Sequence, residues 1–108
     1  MWTETFNGYT ICVGSDRNEN DGMVRGAQAN DVWVHLSDYC SPHGLISNPC
    51  GKKVSLKVIK RDCCLVKARS KCKALDKVEC DVAYAKSVTA TDVKGEVIVG
   101  KLIKNISI

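Results

Sequence analysis

Apolar and polar side chains alternate most clearly in the segment VWVHL, residues 32–36. Three aliphatic residues alternate there with Trp33 and His35, and this period of two predicts a strand within residues 23–36. A similar alternation over residues 54–59 predicts a second strand, and a shorter apolar run over residues 65–69 predicts a third.

Turn-forming and helix-forming signals fill most of the rest. Residues 1–22 are polar, contain the turn dipeptide Asn7-Gly8 and lack an apolar period, so we expect loop there and again over residues 37–51. Residues 82–90 predict a short helix with Asp81 as its N-cap, because an aspartate there accepts from the unpaired N–H groups of the first turn.

The last strand is expected near the C-terminus. Residues 97–99 and 102–103 are apolar, and Gly100 between them indicates a bulge or bend. The resulting prediction is a mostly β chain with one short helix.

Length and cysteine content modify this picture. A chain of 108 residues makes a single domain, residues 1–108, with limited capacity to bury surface. So many cysteines in a short chain predict a disulfide framework in an oxidising compartment, with one thiol left over. The seven cysteines are Cys12, Cys40, Cys50, Cys63, Cys64, Cys72 and Cys80. Their pairing is open at this stage.

The net charge of +4 hides an uneven distribution. Residues 1–50 carry two basic and six acidic side chains, a net of −4, whereas residues 51–108 carry fourteen basic and six acidic ones, a net of +8. Such a basic stripe attracts polyanions, among them pectin, anionic lipid and nucleic acid, or else forms a solvated face that protects an edge strand. The candidate basic patch is Lys52, Lys53, Lys57, Lys60 and Arg61.

Metal and nucleotide chemistry find little support in the residue spacing. His35 and His43 could join cysteines around zinc, but Cys63 and Cys64 are adjacent rather than spaced as zinc ligands are. Phosphate-binding glycine loops are absent. We therefore expect neither a metal nor a cofactor.

Several short motifs occur in an order that resembles one known family. CGKKV at residues 50–54 is followed by Cys80-Asp81 and then by GEVIV at residues 95–99, and the alanine-containing stretch 23–33 precedes them. With these motifs in this order, the chain resembles the small secreted double-psi β-barrels shared by barwin, expansins and plant natriuretic peptide-like proteins.

The resemblance implies an all-β fold: a six-stranded double-psi β-barrel with one short helix, stapled by disulfides. It also implies a secreted, noncatalytic protein of the apoplast or cell wall that binds cell-wall polysaccharide or signals there. Aromatic rings would stack on sugar rings, and polar groups would meet the sugar hydroxyls. The polysaccharide-binding residues expected on this basis are Asp81, Tyr84, Thr5, Tyr9 and Trp33.

Two positions depart from the family pattern. Ser70 stands where the family's hydrolases have an aspartate, and Asn7 stands where an aromatic residue is usual. Glycoside hydrolysis needs two carboxyl groups, which Asp81 alone cannot supply, so we expect no catalytic residues. A weak glycoside hydrolase that recruits Asp76 or Glu79 is an alternative.

A third interpretation belongs to another class of function. The stapled barrel would present loops to a host or pathogen protein, as a secreted effector or defence protein does, and the acidic loop over residues 16–21 favours this. The expected partners are therefore cell-wall polysaccharide or an extracellular protein. We expect no nucleic acid, no membrane span and a monomer.

Overall fold

The structure, a computed structural model, describes all 108 residues and contains two α-helices and eight β-strands. In chain order these are β1 (Trp2–Phe6), β2 (Tyr9–Val13), α1 (Arg17–Gly26), β3 (Val32–Leu36), β4 (Gly44–Ile46), α2 (Leu56–Ala68), β5 (Glu79–Tyr84), β6 (Val88–Ala90), β7 (Val97–Val99) and β8 (Lys104–Ser107). The predicted all-β double-psi barrel is therefore wrong, because the chain folds as a mixed α/β domain.

Six strands form one open antiparallel sheet in the order β1-β2-β4-β3-β5-β8. The tight turn between β1 and β2 uses Asn7 and Gly8, whose φ angles of 50° and 83° suit a two-residue hairpin loop. Strands β6 and β7 pair separately as a two-stranded hairpin. No helix combines the length and apolar character needed to cross a membrane.

Helix α2 occupies the region where two strands were predicted, residues 54–59 and 65–69. Its buried residues recur with the helical period and face the sheet, whereas Lys57, Lys60 and Cys64 are exposed on its outer face. Ser55 caps the helix by accepting a hydrogen bond from the Val58 N–H at 3.4 Å. The short alternation at residues 54–58 resembled a strand only because the window was shorter than two helical turns.

The core lies between α2 and one face of the sheet. Each fully buried aliphatic side chain there contributes about 1.5–3 kcal/mol relative to an exposed one. The largest completely buried aliphatic residues are Ile11, Val13, Val32, Val34, Leu36, Ile46, Val58, Val66 and Val82. This layer fixes the position of α2 along the sheet.

The opposite face of the sheet is only partly covered. Trp33 and Ala83 pack there against Val88, with side chains of α1 and β7 around them. Helix α1 forms where residues 15–22 were predicted to be loop. Asp16 accepts from the Glu19 N–H at 2.9 Å, and an Arg25–Asp21 ion pair of 2.8 Å supports the next turns.

Residues 82–90 form no α-helix. Val82–Tyr84 belong to β5, and a 3₁₀ turn over Ala85–Ser87 leads into β6. Asp81 consequently lies within a strand and caps nothing. The strand predicted within residues 23–36 is confirmed over residues 32–36, whereas residues 23–26 belong to α1. The strand at residues 97–99 is also confirmed, but the chain after Gly100 leaves β7 and joins the other sheet as β8.

The cysteines form no disulfides, so the predicted staples are wrong. Cys63, Cys72 and Cys80 are buried between α2 and the sheet, where they act as small apolar side chains. Cys40, Cys50 and Cys64 are exposed and Cys12 is half-buried. The packing of α2 on the sheet supplies a hydrophobic core, so the fold does not need a disulfide framework.

One carboxyl group lies inside this core. Asp62 is completely buried on the sheet-facing side of α2, and neither of its carboxylate oxygens has a hydrogen-bond partner. Burial, with a smaller contribution from Cys80, raises the pKa of Asp62 well above its ordinary value. The folded protein therefore favours the neutral acid.

We expect Asp62 to weaken the fold as pH rises. Because its pKa is higher in the folded than in the unfolded state, stability is greatest below the unfolded value of about 3.9 and declines as pH rises through the folded value. In urea unfolding between pH 4 and pH 8, the free energy of unfolding of the wild type relative to that of Asp62→Asn should fall as pH rises. Parallel pH profiles for the two proteins would contradict it.

Gly44 is expected to be intolerant of any side chain. A Cβ there would lie 2.7 Å from Val34 Cγ2 and closer still to the Asp62 carboxylate. Gly44→Ala should therefore lower the free energy of unfolding by about 1–3 kcal/mol. The control is Gly22→Ala in α1, where nothing lies within 4 Å, and it should raise stability by roughly 0.5–1 kcal/mol. Equal changes in the free energy of unfolding of the two variants, measured by urea unfolding, would refute this prediction.

Candidate functional site

Three adjoining depressions lie at one end of the sheet, where the C-terminal end of α2 meets the loops after β2 and before β4. Their volumes are about 370, 270 and 380 Å³. Neighbouring depressions share walls formed by Ser15, Pro42, Arg69 and Ser70 and by Asn20, Cys40 and Ser41. The three depressions therefore adjoin one another across these walls, and together they are here called the end groove.

The end groove is mainly cationic. Its basic lining residues are Arg17, Arg69, Lys71, Lys73 and Lys94. Only two acidic residues line it, Asp16 and Glu96, and Asp16 is occupied as the cap of α1. A concave surface lined by one sign of charge concentrates the field and attracts anions.

Arg69 is positioned at the mouth of the end groove by the helix and by an aromatic ring. It is the C-cap residue of α2, and its backbone N–H donates to the Leu65 carbonyl at 3.1 Å. Its guanidinium carbon lies 4.7 Å from the centroid of the Trp2 ring, a cation–π arrangement. Trp2 is itself 40% exposed, so an aromatic ring lies beside the cation Arg69, next to the residues that line the groove.

The other end of the groove is built on three aromatic rings. Trp33 and His35 lie stacked, with centroids 5.7 Å apart and planes 3° apart, and His43 is perpendicular to both. Trp33 Nε1–H donates to His43 Nδ1 at 3.2 Å, so the proton of neutral His43 lies on Nε2. The hydrogen bond thus fixes both the tautomer and the orientation of His43.

Burial keeps these histidines uncharged. Burial, followed by the proximity of His35, lowers the pKa of His43 to about 4. Burial also lowers the pKa of His35, against smaller opposing effects of the Leu36 backbone and Asp81. The groove therefore combines cations with a neutral aromatic end.

A polar row crosses the sheet beside His35. Asp81 is the direct cross-strand partner of both His35 and Asn105. Asp81 Oδ1 accepts from Ser37 Oγ and from Asn105 Nδ2, both at 2.8 Å. Asp81 Oδ2 makes no hydrogen bond, which leaves an acceptor free at the surface.

The predicted basic patch lies apart from the groove. Lys52 and Lys53 precede α2 at the far end of the sheet, and Lys57 and Lys60 are on the outer face of the helix. Arg61 is held by Glu4, with nitrogen–oxygen distances of 2.7 and 3.0 Å. The groove cations at 69, 71 and 73 continue the same basic run, but the sequence did not show that they turn into a concave surface.

Comparison with known proteins now identifies the family. Residues 1–103 match the family described as the NFACT protein RNA binding domain. The chain belongs to this family.

Curated relatives of this NFACT domain include coiled-coil domain-containing protein 25 of Mus musculus and of Bos taurus. Each is 34% identical over 65 residues, which cover 57% of this chain and 31% of the relative. The matched region therefore covers less than a third of the length of these relatives.

A solved structure shares the fold. The C-terminal part of the fibronectin/fibrinogen-binding protein from Streptococcus suis superposes with a TM-score of 0.86 at 22% identity. The match covers 98% of this chain and 43% of that one. At this identity the likeness establishes the fold and nothing about function.

Family membership corrects the functional predictions. The resemblance to expansins, barwin and plant natriuretic peptide-like proteins is wrong, because the shared motifs were short and an NFACT domain accounts for 103 residues of the chain. The expectations that rested on it are wrong too, namely secretion to the apoplast, polysaccharide binding and the exclusion of nucleic acid. The prediction that the chain is not an enzyme stays a prediction.

The structure does not bring the five expected sugar-binding residues together. Asp81 and Tyr84 lie three apart on a strand, so their side chains point to opposite faces. Thr5 and Tyr9 belong to the β1–β2 hairpin at the other end of the sheet, and Trp33 is 3% exposed. Asp81 alone lies on the open polar row. From the sequence, His35 was considered only as a zinc ligand, although its spacing of two from Trp33 placed both rings on one face.

We expect His43 to make the fold sensitive to acid. Its pKa is about 4 in the folded state against 6.5 ordinarily, so the stability it contributes is present above pH 6.5 and is lost as pH falls towards 4. The loss should be on the order of 3 kcal/mol, from 1.36 kcal/mol per pKa unit. His43→Asn keeps an acceptor for Trp33 but does not titrate in this range. Urea unfolding at pH 7 and pH 4.5 should show a larger loss in the wild type, and equal losses would disprove the assignment.

Proposed function

We propose that this chain binds single-stranded RNA in the end groove. The observation that carries the proposal is the adjacency of the three depressions, which brings five cationic side chains together with His35 and His43, while Trp2 contacts Arg69 beside the groove. Membership of an RNA-binding domain family supports RNA as the polyanion. The proposed role is noncatalytic and lies inside the cell, where RNA is found.

Phosphate contacts would come from the cations beyond the C-terminal end of α2. Lys71 and Lys73 are exposed, line the groove and form no hydrogen bond or ion pair within the protein. Their ammonium groups are therefore available to phosphate oxygens, and displacement of counterions from the RNA would supply much of the affinity.

A single strand suits this groove better than a duplex. Base stacking on aromatic side chains along a positively charged groove is the usual mode for single strands, whereas duplex RNA is recognised by its shape across a wide minor groove. His35 provides a ring at one end of the groove, Trp2 provides a ring beside Arg69 at the other, and the cations line the groove. The outer face of α2 would contribute long-range attraction through Lys57 and Lys60.

Removal of two groove charges should weaken RNA binding and reduce its dependence on salt. For Lys71→Ala/Lys73→Ala we expect roughly tenfold lower affinity at 0.1 M salt. The slope of log affinity against log salt should fall by about 1.4, from 0.7 per phosphate contact on a single strand. Fluorescence anisotropy with a labelled 12-nucleotide RNA at several salt concentrations measures both.

The matched control is Lys52→Ala/Lys53→Ala. These lysines are exposed and carry the same charge, but they lie at the opposite end of the sheet, where Lys52 lines a depression with Gly8 and Tyr9 of the β1–β2 turn. The control variant should keep most of the affinity and the slope. Equal losses in the two double variants would mean that net charge, not the groove, governs binding, and absence of RNA binding by the wild type would refute the proposed function.

A further inference from the structure

We infer that the row formed by His35, Asp81 and Asn105 binds one ribonucleoside of the RNA and distinguishes RNA from DNA. The nucleobase stacks on His35, and the ribose 2′-hydroxyl donates to Asp81. This inference rests on the proposed function, since His35 lines one end of the same groove and Asp81 and Asn105 lie beside it in the sheet.

The row is the uncovered part of its sheet face. Direct cross-strand partners place their side chains on the same side, so His35, Asp81 and Asn105 point to the same side of the sheet. The preceding row, Trp33 and Ala83, is buried beneath the β6–β7 hairpin. The β6–β7 hairpin covers the Trp33 row but not the His35 row, so the surface becomes polar and accessible where the 380 Å³ depression opens.

The His35 ring is the accessible ring of this aromatic group. It is half-buried and lines the 380 Å³ depression. Trp33 lies parallel to it, and His43 is perpendicular to both rings, with its centroid 5.0 Å from that of His35 and 5.5 Å from that of Trp33. A base that stacks on His35 from the depression would extend the group by one ring, and such stacking contributes about 1–3 kcal/mol per base.

The free oxygen of Asp81 selects a hydroxyl group rather than a phosphate. Ser37 and Asn105 hold the carboxylate through Oδ1, so that Oδ2 is oriented and unoccupied. A carboxylate accepts hydrogen bonds and repels phosphate oxygens, and the 2′-hydroxyl is a donor that DNA lacks. Arg17 and Lys94 line the same depression and would meet the adjoining phosphate.

The first test uses the unmodified protein and three labelled 12-nucleotide probes of identical base sequence, made of RNA, 2′-deoxy and 2′-O-methyl nucleotides. Anisotropy titrations should show RNA bound about tenfold more tightly than either of the others, since both lack the 2′ donor. Equal affinity for all three probes would overturn the inference.

Asp81→Asn supplies the second test. It removes the charged acceptor without changing shape, so RNA affinity should fall about tenfold, whereas affinity for the 2′-deoxy probe should stay equal or rise because repulsion is lost. The charge-matched control, Asp76→Asn, alters an exposed aspartate on the α2 side and should leave the preference for RNA intact. Equal weakening on both probes would indicate a structural effect and would count against a role in sugar recognition.

His35 is tested by a pair of substitutions. His35→Ala should weaken RNA and 2′-deoxy probes by a similar factor, because both have bases that stack, and His35→Phe should restore most of the loss. If His35→Phe does not restore binding, base stacking on His35 is refuted. Thermal unfolding confirms that each variant folds.

The outcomes separate the two proposals. If the wild type binds none of the probes, both the proposed function and this inference fail. If it binds RNA through the groove lysines but shows no preference for the 2′-hydroxyl, only the ribonucleoside site fails.

Discussion

The burial of one face of α2 against the six-stranded sheet is the interaction on which the candidate site depends. Val58 and Val66 of the helix are almost completely buried, and they lie on the same face as Asp62. This packing fixes where the helix ends, and its end carries Arg69 to the mouth of the end groove. The segment that follows, with Lys71 and Lys73, is thereby directed to one end of the sheet.

The core between α2 and the sheet also contains a destabilising group, the buried Asp62. An aspartate without hydrogen-bond partners in an apolar core is unfavourable when ionised, and its pKa is raised accordingly. Gly44 on the facing strand has no Cβ, and only such a residue leaves room for this carboxyl group. Helix and sheet approach closely at that point, so the fold tolerates an acidic group that it does not solvate.

The two ends of the end groove differ in electrostatics for a physical reason. The cations near α2 are on exposed loops, where water stabilises their charge, and they remain available to an anion. His43 is buried and His35 half-buried beside Trp33, where the charged form is disfavoured, and a hydrogen bond from Trp33 orients the neutral His43 ring. A groove of this kind offers attraction along its length and an oriented aromatic surface at its end.

Local patterns accounted for part of the fold. The strand at residues 32–36 and the Asn7-Gly8 turn were predictable because alternation and turn chemistry act within a few residues. Helix α2 was missed because residues 54–58 alternate by chance, and α1 was missed because its buried face includes Asn20 and Asp21, which have no apolar signature. Most of the elements wrongly assigned are those whose type depended on what they packed against.

The sequence by itself determined the concentration of positive charge after residue 50, the single strand that carries Trp33 and His35, and the candidate acceptor Asp81. Only the tertiary structure decided that the cysteines stay unpaired in a helix–sheet core, and that Arg69 and His35, 34 positions apart, line one groove. The reason is that charge and alternation are properties of neighbouring residues, whereas a groove exists only when separate segments are packed side by side.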